Sequence, residues 1–320
     1  MASPNLSELI SSTLRDRSGK FADNVSKGNA ILSKLKEKGA WEAAEGRTIV
    51  QELEYGDGNS GWYSGYEELN ISPPDVLTAA EFNWKQAYAS VSISGLEQDV
   101  QNVGKAQVIN LLKARIKNAE HTLKNTVTSG MYATGTGNGG KEIGGLQSLI
   151  ADTPTSGSVG GIDQGTYTFW RNQSFDATTD GGAPVSAANV QGYMNTMFLR
   201  CTRGNDKPDL IIAEVNYYKA YWESLQAIQR VTEAKTAAAG FTNLAYANNV
   251  PVVYEDSAGI PTNHMYFINT DYLHFRYAPG RLFTPAKKVS MIQQDAESHF
   301  IFFAGNMTAS NRARLGVIKD

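Results

Sequence analysis

The 320-residue chain has a single cysteine, only four histidines, no long apolar run and no excess of either charge. Cys201 alone excludes a disulfide framework within the chain, and a lone thiol among apolar neighbours reads as a small core residue. His121 falls in a helical stretch, and His264, His274 and His299 fall in three separate strands. They form no HExxH motif and no pair at metal-ligand spacing, so the pattern of a zinc or iron centre is missing. No apolar stretch approaches the roughly 18–20 residues that span a bilayer. The opening MASPNLSELISSTLRDR also lacks a basic segment followed by an apolar run. We therefore expect a chain that is not exported by a standard signal and does not cross a membrane. Twenty-nine basic against 32 acidic residues provide no electrostatic case for tight binding of nucleic acid or anionic membrane by the whole surface.

The catalytic inventory is equally thin. There is no GxSxG elbow, and no signature of a nucleophile surrounds Cys201. The glycine-rich TGTGNGGKEIGG around Lys141 follows a predicted helix, not a strand, and lacks the Gly-Lys-Ser/Thr ending of a phosphate loop. Glu67–Glu68 and Asp295–Glu297 lie in turn-like or strand-edge contexts, where solvated faces or intersubunit ion pairs are the commoner use. The sequence nominates no catalytic, cofactor-binding or metal-binding residue, and the expectation is a protein that is not an enzyme.

What is present is a long amphipathic helix, predicted from Ser94 to about Met131. Ser94 and Glu97 fit a capping box. Leu96, Val100, Val103, Ile109, Leu112, Ile116, Ala119, Leu123 and Val127 recur at spacings of three or four and form one stripe. Lys105, Lys113, Arg115, Lys117 and Lys124 occupy the opposite side, and the pattern stops near Ser129–Gly130. At about 1.5 Å per residue such a helix spans roughly 45–50 Å, a beam joining two parts of a molecule. The length of the chain favours two lobes, or one lobe with extensions.

The other segments follow from pattern. Residues 1–46 are polar, helix-prone and too poor in large apolar side chains to fold alone, which suits an arm that orders on another surface. RTIVQELEY (47–55) and FNWKQAYASVSISG (82–95) are predicted strands and natural antiparallel partners. The stretch between them is rich in Gly and Ser, contains Pro73–Pro74, and carries Trp62, Tyr63 and Tyr66. It has no Lys or Arg between Arg47 and Lys85, so stacked nucleotides would meet no counter-charge. Protein–protein contact suits those aromatics better, with folding back onto the parent lobe as the plainer alternative.

Residues 133–166 form a connector or flap in which only IGGLQSLI is dense enough to dock. TYTFWRNQ (166–173) is predicted as a strand, and SAANVQGYMNTMFLRC as a helix capped by Ser186. An apolar strand at 210–213, an aromatic-studded helix and a strand within 248–256 predict an α/β or α+β lobe. The last third reads as strands, HMYFIN, YLHFRYA, KVSMIQQ, ESHFIFFAG and ARLGVI, parted by NTD, APGR and GN turns.

In this order of parts the chain resembles the major capsid proteins of tailed bacteriophages, with their HK97-like fold. The most specific local pieces are FFAGNMTASNRARLGVI (302–318) and IGGLQSLIAD followed by GGIDQGTYTFWRNQ. The resemblance implies an α+β fold with an N-terminal arm (1–46), an extended β-hairpin or E-loop (47–95), a peripheral domain with spine helix and connector (96–182), an axial domain (183–265) and return strands (266–320). It implies a virion protein, assembled in the bacterial cytoplasm, that forms hexamers and pentamers of itself in an icosahedral shell around double-stranded DNA. Contact with DNA would be non-specific, and Lys113, Lys117 and Lys124 would either face inward or form a solvated face. Trp62, Tyr63 and Tyr66 are the expected intersubunit contacts, with a portal, decoration proteins and a separate scaffolding protein as further implied partners. The separate scaffold follows because the segment ahead of the hairpin is short and Met1 looks like an initiator. Some members weld their shells through an E-loop lysine, but 56–81 contains none and Lys85 lies in a strand, so no autocatalytic crosslink is expected. The rival readings are an encapsulin-like shell, a tail or adhesin component, and a polysaccharide-acting enzyme with its pocket in the α/β lobe.

Overall fold

A computed structural model of the chain describes residues 30–94, 111–229, 244–247, 249–255, 259–285, 289–290 and 296–320. Its backbone is organised by two six-stranded sheets, and one of them acts as a wall between two hydrophobic cores.

The wall runs β7 (Gln173–Asp176), β16 (Gly316–Lys319), β11 (His264–Ile268), β8 (Leu210–Ala213), β10 (Val250–Tyr254) and β9 (Leu244–Tyr246). Its central strand is the uninterrupted apolar run LIIA, buried at all four positions, as a strand covered on both faces must be. The two-residue period of a strand then sorts side chains between cores. Ile211, Ala213, Met265, Phe267 and Ile318 face one cluster, whereas Leu210, Ile212, Tyr266, Ile268 and Val317 face the other. The first cluster is closed by helices α4 (Val190–Cys201) and α5 (Val215–Gln229), through Met194, Met197, Phe198, Tyr217 and Tyr221. As the sequence predicts, β8, α5 and β10 follow in strand–helix–strand order, and the structure pairs the two strands in parallel. Cys201 is fully buried at the end of α4, as expected of a core thiol, and burial pushes its pKa up to about 12.

The second sheet is built on β15 (Ala296–Ala309), 14 residues long. On one edge it pairs with β12 (Leu273–Tyr277), β13 (Thr284–Pro285) and β14 (Val289–Ser290). On the other it pairs with β4 (Lys85–Ser94) over ten consecutive positions. Beyond β12 lies β1 (Trp41–Ala43), in parallel register and preceded by helix α1 (Ala30–Glu37). Helix α2 (Leu111–Gly130) packs on this sheet through Ala119, Leu123 and Val127, while Lys117 and Lys124 stay exposed. The predicted stripe and the predicted stop are both found in α2. The predicted first half of the helix lies outside the described residues, and Ser94 closes β4.

Four local expectations are corrected. The segment 82–95 does not return to 47–55: β2 (Ile49–Glu54) pairs with β3 (Leu77–Phe82), and Asn83–Trp84 turn the chain into β4 and the second sheet. TYTFWRNQ is not a strand, because Thr168–Trp170 form a 3-10 turn and pairing begins only at Gln173. Ser186 does not cap α4; Asn189 occupies the cap position and its Oδ1 accepts the Ser186 N–H at 2.7 Å. Gly305–Asn306 is no turn, since β15 runs through it, with Gly305 lying opposite both Tyr277 and Lys85.

Candidate functional site

The feature that protrudes from this architecture is the β2–β3 ribbon and the loop at its end. The ribbon is in register from Ile49 opposite Phe82 to Glu54 opposite Leu77, and a last backbone bond joins Tyr55 N–H to the Val76 carbonyl at 2.9 Å. Ile49, Leu53, Ala80 and Phe82 are buried, so the base of the ribbon belongs to the core. An isolated two-stranded ribbon is marginal in water, and this one is buttressed.

The buttress is a second, two-residue-per-strand hairpin, β5 (Ser158–Val159) and β6 (Ile162–Asp163). Its Gly160 carbonyl accepts the Glu81 N–H at 2.9 Å. Gly160 has φ +60°, and a Cβ there would stand 2.9 Å from the Ala80 methyl, so the contact requires glycine twice over. The Val159 carbonyl is held by the Trp170 indole N–H at 2.9 Å, and Tyr55 stacks on Phe169 at 5.2 Å. None of these supports was singled out from sequence. The Gly160–Gly161 pair was the available signal, since both adopt positive φ.

Beyond Tyr55 the loop makes short-range hydrogen bonds, such as Ser64 N–H to Glu67 Oε2 at 3.0 Å and Ser72 N–H to Asn70 Oδ1 at 3.1 Å. Trp62 and Tyr66 are fully exposed at 104 % and 108 %, and Tyr63, Leu69 and Ile71 are exposed beside them. The three sequence-nominated aromatics thus share one protruding loop and do not fold back onto the body. Contiguous exposed apolar area of this kind is uncommon on monomeric proteins. The loop also carries Asp57, Glu67, Glu68 and Asp75 and has no cation.

Two histidines elsewhere, His264 and His274, are tied into the structure. His264 Nε2 lies 3.2 Å from Asp152 Oδ2 and Nδ1 lies 2.7 Å from the Thr262 carbonyl. Burial lowers the His264 pKa, but the Asp152 and Thr262 hydrogen bonds and the Asp152 charge outweigh it and leave it raised. His274 lies 3.3 Å from Glu42, which also pairs with Arg276 and so fastens β1 to β12; burial lowers the His274 pKa. Among the described residues no group of three or more His, Cys, Asp or Glu side chains is placed to hold a metal ion. No described helix is long and apolar enough to cross a membrane.

The IGGLQSLI segment docks as expected, with Ile143, Leu146, Leu149 and Ile150 buried. Helix α3 (Leu146–Leu149) sits within it, and its last carbonyl lies against Arg312, which is fully buried in the NRAR stretch. Lys85 is the first residue of β4, and its ammonium group donates to the Gly140 carbonyl.

No protein-family model matches the sequence, and no curated protein matches it either. Solved structures match over almost the whole chain. One is the capsid asymmetric unit of cyanophage A-1(L), with a TM-score of 0.67 and 15 % identity, covering 99 % of this chain and 98 % of that one. A second is the capsid of a native GTA particle, with a TM-score of 0.64, 11 % identity and coverage of 96 % and 95 %. A third is the holo-SrpI encapsulin complex of Synechococcus elongatus PCC 7942, with a TM-score of 0.52, 12 % identity and coverage of 96 % and 95 %. Over almost its whole length the chain has the α+β fold of phage capsid subunits.

Proposed function

We propose that the chain is a major capsid subunit whose function is self-association into a closed icosahedral shell around double-stranded phage DNA. The observation that carries this reading is the protruding, buttressed ribbon with Trp62, Tyr63 and Tyr66 exposed at its tip, on a fold shared end to end with capsid subunits. In this reading residues 1–46 are the arm, 47–95 the E-loop, 96–182 the peripheral domain with its spine helix, 183–265 the axial domain and 266–320 the returning strands. The protein acts in the virion after assembly in the host cytoplasm, as hexamers and pentamers of itself. A portal, a separate scaffolding protein and decoration proteins are its further partners, and its contact with DNA is non-specific. Its mechanism is geometric: each contact is modest, and closed symmetry makes many of them simultaneous.

The test is electron microscopy and sedimentation of the purified protein, alone and with the candidate scaffold. Closed particles of uniform diameter are expected; a protein that stays monomeric at high concentration in both conditions refutes the reading. The encapsulin match supports a second reading, a shell that encloses no DNA. Absorbance at 260 against 280 nm of nuclease-treated particles isolated from infected or induced cells separates the two. No lysine lies in 56–81, so subunits of these particles should run as monomers on denaturing gels.

A further inference from the structure

The exposed aromatic loop needs a receiving surface, and the body of the molecule contains one. A cleft of about 660 Å³ opens between β4, α2 and the glycine-rich segment after α2, in the size range of sites that enclose a compact guest. Its floor is apolar, formed by buried Val127, Ile143 and Phe303. Its rim carries Lys85 and Lys141 against one carboxylate, Glu142, which accepts the Asn138 amide N–H at 2.6 Å. No residue of 56–76 lines the cleft, so the chain does not fill it with its own loop.

We propose that this cleft receives the Trp62 indole from the loop of a second copy of the chain. The inference rests on the shell reading and deepens it by naming the surface on which the loop lands. Two complementarities support it. An apolar floor under a polar rim suits an indole, which buries roughly 150–250 Å² and keeps one N–H for a polar partner. The rim has two cations to one anion, whereas the loop has Asp57, Glu67, Glu68 and Asp75 with no cation. Opposite charges at the edge of a contact steer docking and fix its register. Loop and cleft are also different surfaces of one chain, so the contact is heterologous, and a heterologous contact repeated with rotation closes rings.

The decisive experiment replaces Trp62 with the photo-crosslinking residue p-benzoylphenylalanine and irradiates particles assembled from equal parts of isotopically light and heavy protein. Trypsin releases most of the cleft lining in four peptides, 86–105, 125–141, 142–171 and 289–312. Crosslinks joining residue 62 of one isotope to lining residues within these peptides of the other are expected. Crosslinks to other peptides or to residues outside the lining, or only within one chain, overturn the cleft and leave the shell reading standing; absence of particles from the unmodified protein overturns both. If the photoprobe variant itself does not assemble, charge exchange decides. Lys141→Glu alone and Glu67→Lys with Glu68→Lys should each lower particle yield at least tenfold, and combining all three should restore it. Yields unaffected by the separate changes, or not restored by combining them, overturn the proposal.

Discussion

The Arg312 guanidinium lies 5.6 Å from the ring centre of Trp170, fully buried and without a carboxylate among its hydrogen-bond partners. It donates to four neutral oxygens, of Leu149 at 2.6 Å, Gln164 at 2.9 Å, Trp170 at 2.9 Å and Asn172 at 3.1 Å. Burial lowers its pKa to about 10, still far above neutrality, so the group stays charged in the core. One side chain from the last turn of the chain thereby ties together the whole connector that supports the ribbon.

Removing it leaves several buried acceptors without donors, at roughly 1–3 kcal/mol each before the site relaxes. Arg312→Ala should cost about 3–5 kcal/mol of stability, measured by denaturant unfolding of the unassembled subunit. A loss below about 1 kcal/mol would mean that the connector is held elsewhere. Arg312→Lys should recover only part of the loss, because one ammonium cannot reach four oxygens arranged around a planar fork.

Gly316 bears on the other core. A Cβ there would stand 2.5 Å from Met197 Sδ and 2.6 Å from Cys201 Sγ, so α4 rests directly on the backbone of β16. Gly316→Val should push the helix off the sheet and cost about 2–4 kcal/mol. The same displacement should open Cys201 to a thiol reagent that the native protein excludes. A variant with wild-type stability and an unreactive thiol would show that the helix can shift at no cost.

How much of this was legible from sequence depended on whether the deciding information was local. The four-residue apolar run of β8, the α2 stripe at Ala119, Leu123 and Val127, and the exposure of a Gly- and Ser-rich loop all follow from period and composition. The partner of β4 did not, because Lys85–Ser94 has the same alternation whether it meets 49–54 or 296–305; the corner at Asn83–Trp84 decides it. Thr168–Trp170 has strand composition, but the docking of Trp170 under Arg312 imposes a turn. Gly305–Asn306 has turn composition and is straightened by pairing, Gly305 with strands on both sides and Asn306 with β12. Of the candidate site, the aromatics were legible and their buttress was not, since Gly160 meets Ala80 only through the fold.

The contact of His264 with Asp152 joins the wall sheet to the connector and should be visible in the pH dependence of stability. The folded pKa of His264 is raised, so the interaction is fully present below the unfolded value near 6.5 and is lost as pH rises through the folded value. Asp152 is half exposed, and solvent screening limits the effect to roughly 0.5–1 kcal/mol. Asp152→Asn should therefore lower the unfolding midpoint at pH 5.5–6 and leave it nearly unchanged at pH 8.5. An equal loss at both values would assign the contact to an uncharged hydrogen bond.

The aromatic loop offers the sharpest separation of folding from assembly. Trp62, Tyr63 and Tyr66 are exposed in the single chain and lie outside both hydrophobic clusters, so replacing all three by serine removes no core contact. Surface changes of this kind usually stay within about 0.5 kcal/mol. The triple variant should then match the wild type in thermal midpoint and in circular dichroism while losing most of its particle yield. Aromatic anchors are the residues on which interfaces concentrate their energy, and each contact is repeated at every neighbour, so a modest loss per contact is multiplied around the shell. Normal particles from the triple variant would remove the loop from the assembly mechanism. A depressed midpoint would instead show that the three side chains support the ribbon itself, through contacts made before any second copy arrives.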